Sequence, residues 1–355
     1  MGPRPLRTLT RKELTAALAA RQMLLERQKL SPTAAIARLT PLQGQHSPAP
    51  FVALAARLDG FARPDLERAL SRGSVVKTTI MRHTLHLAAG ADYPAYAQLS
   101  RQTHLRAWRN RYRHLDEAKV VAELGEWFTE PRTNPEIREK VGRYEGVTDE
   151  EWVPISFART VLPLVQVPPA GYWSQPRLPL FVVDPRPLPS PADAAELALR
   201  RYLAAFGPAS RRDMAAWAGA TQRDFTDALV RVKTVSYVDE QGTELFDLPG
   251  RPLPPASTPI PVRLLARWDQ PLLAHADRAR IIPPEIEPLK LTHSGDQTVT
   301  VDGRVAASWQ IETRGEKAKL LITSHADIPR SAMSQIRAEG QRMAAILFPE
   351  IRNLS

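Results

Sequence analysis

Two glutamines, Gln43 and Gln45, flank Gly44 in the stretch LTPLQGQHSPAP, residues 39–50. Side chains two residues apart diverge on a helix and point the same way in extended chain. Pro41 ahead, Ser47-Pro48 behind and Gly44 between them predict a non-helical link, so both amides can face one space. A carboxamide carries one acceptor oxygen and two donor hydrogens. Two of them can position a water molecule and hydrogen-bond a substrate, but glutamine does not titrate in the working range and cannot act as a strong base. Catalysis by such a pair must rest on positioning and electrostatics. The leaving group must then already be good. A purine alkylated at N7 is positively charged and departs without a proton, while the sugar gains oxocarbenium character, as in glycoside hydrolysis. The plainer reading is that both glutamines cap neighbouring helices.

Two further stretches carry candidate chemistry. Read as a strand, MRHTLHLA (Met81–Ala88) puts Arg82, Thr84 and His86 on one face and His83, Leu85 and Leu87 on the other. Arg82, Thr84 and His86 then contact a phosphate or the substrate, or form a polar face that is only solvated. His83 and His86, three apart, diverge on a strand, so no metal site is expected. In WDQPLLAHADRARII (Trp268–Ile282), extended chain puts His275 and Asp277 on one face. Asp277 would orient the imidazole, Arg278 and Arg280 would reach phosphates, and Asp269 would stabilise positive charge on the reacting sugar. The alternative is a structural hydrogen-bond cluster that locks this segment to the N-terminal region. The chain has no Gly-rich phosphate loop and no Gly-x-Ser-x-Gly elbow, and no lysine has the context of a nucleophile.

These groups need elements to position them. With 355 residues the chain is expected to form two to four subdomains, and its 33 prolines predict short helices. Thr10 and Glu13 form a capping-box pattern. The helix they open carries Leu14, Ala17, Leu18, Leu24 and Leu25 on one face, is interrupted there by Arg21, and is predicted to end near Arg27–Lys29. Ser31-Pro32 and Ser47-Pro48 open two more helices, with the serines as caps. A short helix, a turn at Gly73 and strand-like alternation follow, the outline of a winged helix. Similar outlines recur at 117–141 and 193–232, the second followed by a hairpin with Gln241-Gly242 at its tip. The expectation is an α+β, mainly helical chain of tandem winged-helix motifs. Its regions are 1–115, 116–185, 186–254 and a β-rich region with a closing helix at 255–355.

Charge is unevenly spread. Residues 1–115 hold 19 Lys/Arg against 6 Asp/Glu, and the remainder holds 29 against 32. The run RQTHLRAWRNRYRH (Arg101–His114) has five arginines, two aromatics and no acid, which points to a phosphate backbone, or to a solvated helix face. There are no cysteines, no apolar run of membrane-spanning length and no apolar N-terminal core of a secretion signal. A cytoplasmic protein without disulfides is expected.

In the order LQGQHSPAPFVALAARLDGF, VVKTTIMRHTLHL and LLARWDQPLLAHADRARII, the chain resembles the AlkZ-type DNA glycosylases, a bacterial winged-helix family, over about residues 8–350. The family's mark is Gln-aliphatic-Gln, and Gly44 departs from it. The resemblance implies a monofunctional DNA glycosylase, a monomeric hydrolase acting on double-stranded DNA that contains alkylated purines, bulky adducts or interstrand crosslinks. Gln43 and Gln45 would position the attacking water at C1′, with no metal or redox cofactor. Extrusion of the base and attack within the helix both stay open. One rival is a non-catalytic winged-helix DNA binder or regulator, which predicts sequence-specific affinity and no base release. Another is a structural or interaction protein.

Overall fold

The computed structural model describes residues 6–174, 178–287, 294–351 and 353–354. One order of elements occurs three times: helix, short strand, two helices, two strands. It runs first through helix Pro32–Leu39, strand Leu42–Gln43, helices Ala49–Arg57 and Arg63–Ser71, and strands Val75–Ile80 and Thr84–Ala89. It recurs as Glu117–Trp127, Arg132–Thr133, Asn134–Val141, Trp152–Val161, Leu164–Gln166 and Leu180–Val183. In the third copy, helix Pro191–Phe206 precedes a single bridging residue, Ala209. Helix Arg211–Ala218, the helical stretches Gln222–Phe225 and Thr226–Arg231, and strands Val235–Asp239 and Glu244–Asp247 follow. Each time the short strand pairs antiparallel with the last one, at Gln43–His86, Thr133–Leu180 and Ala209–Phe246.

Copies one and two share a six-stranded sheet, joined where Lys77 and Thr78 pair with Gln166 and Val165. The third sheet gains Thr8–Leu9 as a parallel strand beside Val238–Asp239. A five-stranded sheet, including Arg263–Leu265, Gln297–Val301, Arg304–Arg314 and Lys317–Ser324, and helix Arg330–Leu347 make up the C-terminal part. Its core is continuous with that of the first copy: Leu42, Phe51 and Leu87 belong to one apolar cluster with Leu264, Val299 and Ile336. Among the described residues, no helix is long and apolar enough to cross a membrane.

Local signals set most of the element starts. Thr10 and Glu13 close the expected capping box, and Ser31 accepts from the Ala34 N–H. Three expectations need correction. Ser47 is not the cap of helix Ala49–Arg57, whose N-cap is Pro48 with no side-chain cap bond. The first helix ends at Arg21, since Met23 takes φ 56°, and does not reach Arg27–Lys29. Long helices do form. Pro94 and Pro191 lie in the first turns of helices of 19 and 16 residues, where a missing N–H costs nothing.

Candidate active site

Gln43 ends its two-residue strand, and Gly44 extends the ladder by donating to the Leu85 carbonyl at 2.8 Å. The chain then turns outward, so Gln43 is buried while Gln45 and His46 are exposed. The side-chain oxygen of Gln43 accepts the backbone N–H groups of Gly44 (2.8 Å) and Gln45 (3.0 Å). Two N–H donors require an oxygen between them, which fixes the orientation of the amide. Its nitrogen therefore points the other way, to Thr84 Oγ1 at 3.4 Å. The pair is not the symmetric one that extended chain suggests. Gln43 holds its own loop and leaves an N–H edge to donate. Gln45 carries its amide on an exposed residue.

The loop rests on a lysine that sequence reasoning passed over. Lys77 is only 3 % exposed, and its Nζ donates to Ser47 Oγ at 3.4 Å. Burial pushes the amine down to about 8. The signal was present, as a single lysine inside the strand sequence VVKTTI. On the outer side, burial and then the charge of Arg267 hold the His46 imidazole below its usual range.

Gly44 packs closely on Leu87. A Cβ built there would sit 2.8 Å from Leu87 Cδ1. Leu87 thus occupies space that a side chain at position 44 would need. Gly44→Val is expected to destabilise by about 1–3 kcal/mol through overpacking. Combined with Leu87→Ala it should cost less than the two single changes added together, which urea melts of all four proteins would measure.

His86 shares its sheet face with Gln43 and Thr78, its cross-strand neighbours. It is completely buried, so it cannot contact a phosphate as the sequence suggested. Its Nδ1 lies 2.8 Å from the Thr84 carbonyl, which makes Nδ1 the protonated nitrogen of a neutral ring, and Nε2 meets no partner among the described residues. Arg82 also departs from the reading. The strand begins at Thr84, while Arg82 and His83 form the hairpin turn at φ 55° and 57°. Arg82 therefore leaves the Thr84–His86 face. Its guanidinium donates to the Trp217 carbonyl at the C-terminus of helix Arg211–Ala218, where a cation complements the helix dipole. Burial first, and then Arg278, push Arg82 down to about 10, so Arg278 lies beside it. Thr84 thus borders Gln43, and Arg82 is near enough to His86 for its charge to act there.

The other residues of Trp268–Ile282 form the structural cluster. The segment is a short helix, Gln270–Leu273, followed by irregular chain, and is not extended. Asp269 takes Arg57 in a bidentate ion pair at 2.6 and 3.0 Å, both side chains 0 % exposed, so it stands behind the core and not at a sugar. His275 is buried, with Nε2 3.1 Å from both the Phe206 carbonyl and Arg280 Nη1. Asp277 does not orient it; that carboxylate is exposed and accepts the Ala279 N–H at 2.9 Å. The acid whose charge acts on His275 is Asp213, which also accepts the Ala276 N–H at 2.8 Å. Arg280 is buried and donates to the Pro208 carbonyl at 2.6 Å, so it reaches no phosphate.

These buried rings make stability depend on pH. Burial, and then Arg82, hold His86 down to about 3; burial, and then Arg280, lower His275 as well. In the unfolded chain each titrates near 6.5. Between those values the unfolded state binds more protons, so stability is full above 6.5 and is lost as pH falls toward 3. At pH 4.5 His86 alone withdraws about 3 kcal/mol. A melting series from pH 8 to 4.5 should therefore fall steeply below 6.5, and a flat series contradicts neutral burial.

With the geometry in place, comparison with known proteins is decisive. The family model for DNA glycosylase AlkZ-like matches residues 36–346. The chain belongs to the AlkZ-like DNA glycosylase family. It is accordingly a DNA glycosylase, a hydrolase of N-glycosyl bonds that acts on DNA damage. A curated relative, the interstrand DNA cross-link repair glycosylase of Streptomyces sahachiroi, is 25 % identical over 358 aligned positions, covering 91 % of this chain and 93 % of that one. The solved structure of Streptomyces sahachiroi DNA glycosylase AlkZ has the same fold, with a TM-score of 0.77 at 19 % identity over 98 % of this chain and 99 % of that one.

The basic run of this AlkZ-like enzyme is less free than its composition suggests. Arg106 pairs with Asp224, and Arg109 with Glu117 at 2.6 Å. Arg111 and Arg113 stay on exposed positions past those pairs. The acids that neutralise the run come from later regions of the chain, where sequence position alone does not place them.

Proposed function

We propose that this AlkZ-like enzyme hydrolyses the N-glycosidic bond of N-alkylated purines in double-stranded DNA, including bulky adducts and interstrand crosslinks, and that it works as a monomer. The observation that carries this reading is the asymmetric glutamine pair. The Gln43 amide is locked by two backbone N–H groups, and Gln45 stands exposed beside it. Neither carboxamide titrates in the working range, so the pair itself supplies no strong base. Such a pair suits a leaving group that is already cationic. The Gln45 oxygen would accept a hydrogen bond from the attacking water while the Gln43 N–H edge directs its approach to C1′. The purine leaves neutral, the water adds to the sugar, and its proton passes to solvent, leaving an abasic site.

Tandem winged helices are the architecture we assign to the threefold element order, because in each copy a short strand returns to pair with the last strand of a hairpin. Regions 1–115, 116–185 and 186–254 would each hold one such unit, with 255–355 as the β-rich region. The Streptomyces sahachiroi relative is an interstrand DNA cross-link repair glycosylase, which supports the bulky end of the substrate range. The test is incubation with duplexes carrying N7-methylguanine, a bulky N7 adduct or an N7–N7 crosslink, followed by detection of free base. Release from these duplexes is expected. Release only from duplexes with uncharged damaged bases would overturn the assignment.

A further inference from the structure

We infer that a second pocket, between the hairpin turn and helices Tyr93–Arg111 and Trp152–Val161, takes one uncharged, unstacked nucleobase of the DNA next to the reacting nucleotide. The pocket is about 170 Å³ and is lined by His83, His104, Arg111, Tyr112, Trp152 and Phe157, among others. Its floor is rigid and aromatic. Tyr112 and Phe157 meet edge to face at 5.1 Å, and Trp108 meets Phe157 at 5.2 Å. At its mouth Trp152 is 62 % exposed, the one aromatic ring among the most exposed large apolar side chains described. A ring left in water beside a groove of other rings has the form of a stacking platform for bases.

Charge narrows the choice of base. Arg111 stands over the Tyr112 ring at 5.4 Å, and the charge of Arg159 acts on His83. A cationic alkylpurine would meet the Arg111 guanidinium here, so the damaged base is the poorer fit. A neutral base fits better, with its phosphate on Arg111. Position narrows it again. His83 lines the pocket and precedes Thr84, whose hydroxyl is 3.4 Å from the Gln43 amide. His83 is tied to Ser156 Oγ at 3.4 Å and packs on His104 with ring centroids 4.6 Å apart, so the turn that borders Gln43 also forms a wall of this pocket. The choice of an adjacent nucleotide rests on placing the reaction at Gln43 and Gln45.

The test uses a duplex with a stable abasic analogue flanked by an unpaired base, compared with the same duplex fully paired, bound by the full-length Gln45→Ala protein, so that binding is read without chemistry. The parent of this pair is expected to prefer the unpaired base. Adding Trp152→Ala should weaken binding of that duplex by about 5- to 150-fold, leave the paired duplex unchanged and leave the salt dependence unchanged. Trp152→Phe should restore most of the preference. Arg111→Gln should instead reduce the salt slope by about one. Because Trp152 is exposed, its replacement should not alter melting, which a thermal scan checks. Equal loss on both duplexes, or no loss on either, overturns the pocket assignment. If the preference holds while Gln45→Ala still releases base from alkylated DNA, the pocket stands and the glutamine reading fails.

Discussion

Gln45→Ala is expected to lose base release by about 10²–10³-fold while melting and binding duplex DNA like the parent. The size follows from removing one preorganised hydrogen-bonding group from the reaction path. The absence of a stability change follows from exposure and from the loop's hydrogen bonds, since Gln45 contributes to them only its backbone N–H, which alanine keeps. Gln43→Ala should differ. It removes the acceptor of two N–H groups, but Gly44 keeps its bond to the Leu85 carbonyl and Gln45 is exposed, so the change should cost about 0.5–1.5 kcal/mol of stability besides activity. Gln45→Glu offers a stronger acceptor at the same reach and should retain release where alanine does not. Single-turnover release with a parallel urea melt for each variant separates the roles. If Gln45→Ala releases base at the parent rate, the water-holding assignment is wrong.

Asp269→Ala is expected to destabilise the fold by about 3–5 kcal/mol, the range for breaking a buried ion pair from one side. The Arg57 guanidinium would lose two hydrogen bonds and its counter-charge at a completely buried position. Arg57→Met with Asp269→Leu should recover much of that loss, since no unpaired charge is left. In urea melts the single variant should therefore fall well below the double one. The outcome that would revive the catalytic role considered for Asp269 is a variant with parental stability and lost release.

Most helices, the turn at Gly73 and the hairpin at Gln241-Gly242 were legible because neighbouring residues decide them. The Arg21 that broke an apolar stripe was legible only as an anomaly. Its explanation is Asp247, a partner 226 positions away at 2.7 Å, and no local pattern points to it. The strand face assigned to Arg82 failed for a related reason. Positive φ is tolerated by His83 but unfavourable for Arg82, and it persists there because Arg82 docks on the C-terminus of a distant helix.

By itself, the sequence determined which residue types could do chemistry without a base, the loop that carries them, and the repeating order of elements around it, since each depends on short-range spacing. Tertiary structure alone decided which cations and carboxylates are spent in the interior, how the Gln43 amide is turned, and that Lys77 lies beneath the loop. Those are matters of burial and of pairing across long stretches of chain, and such energies arise only when distant segments share a core.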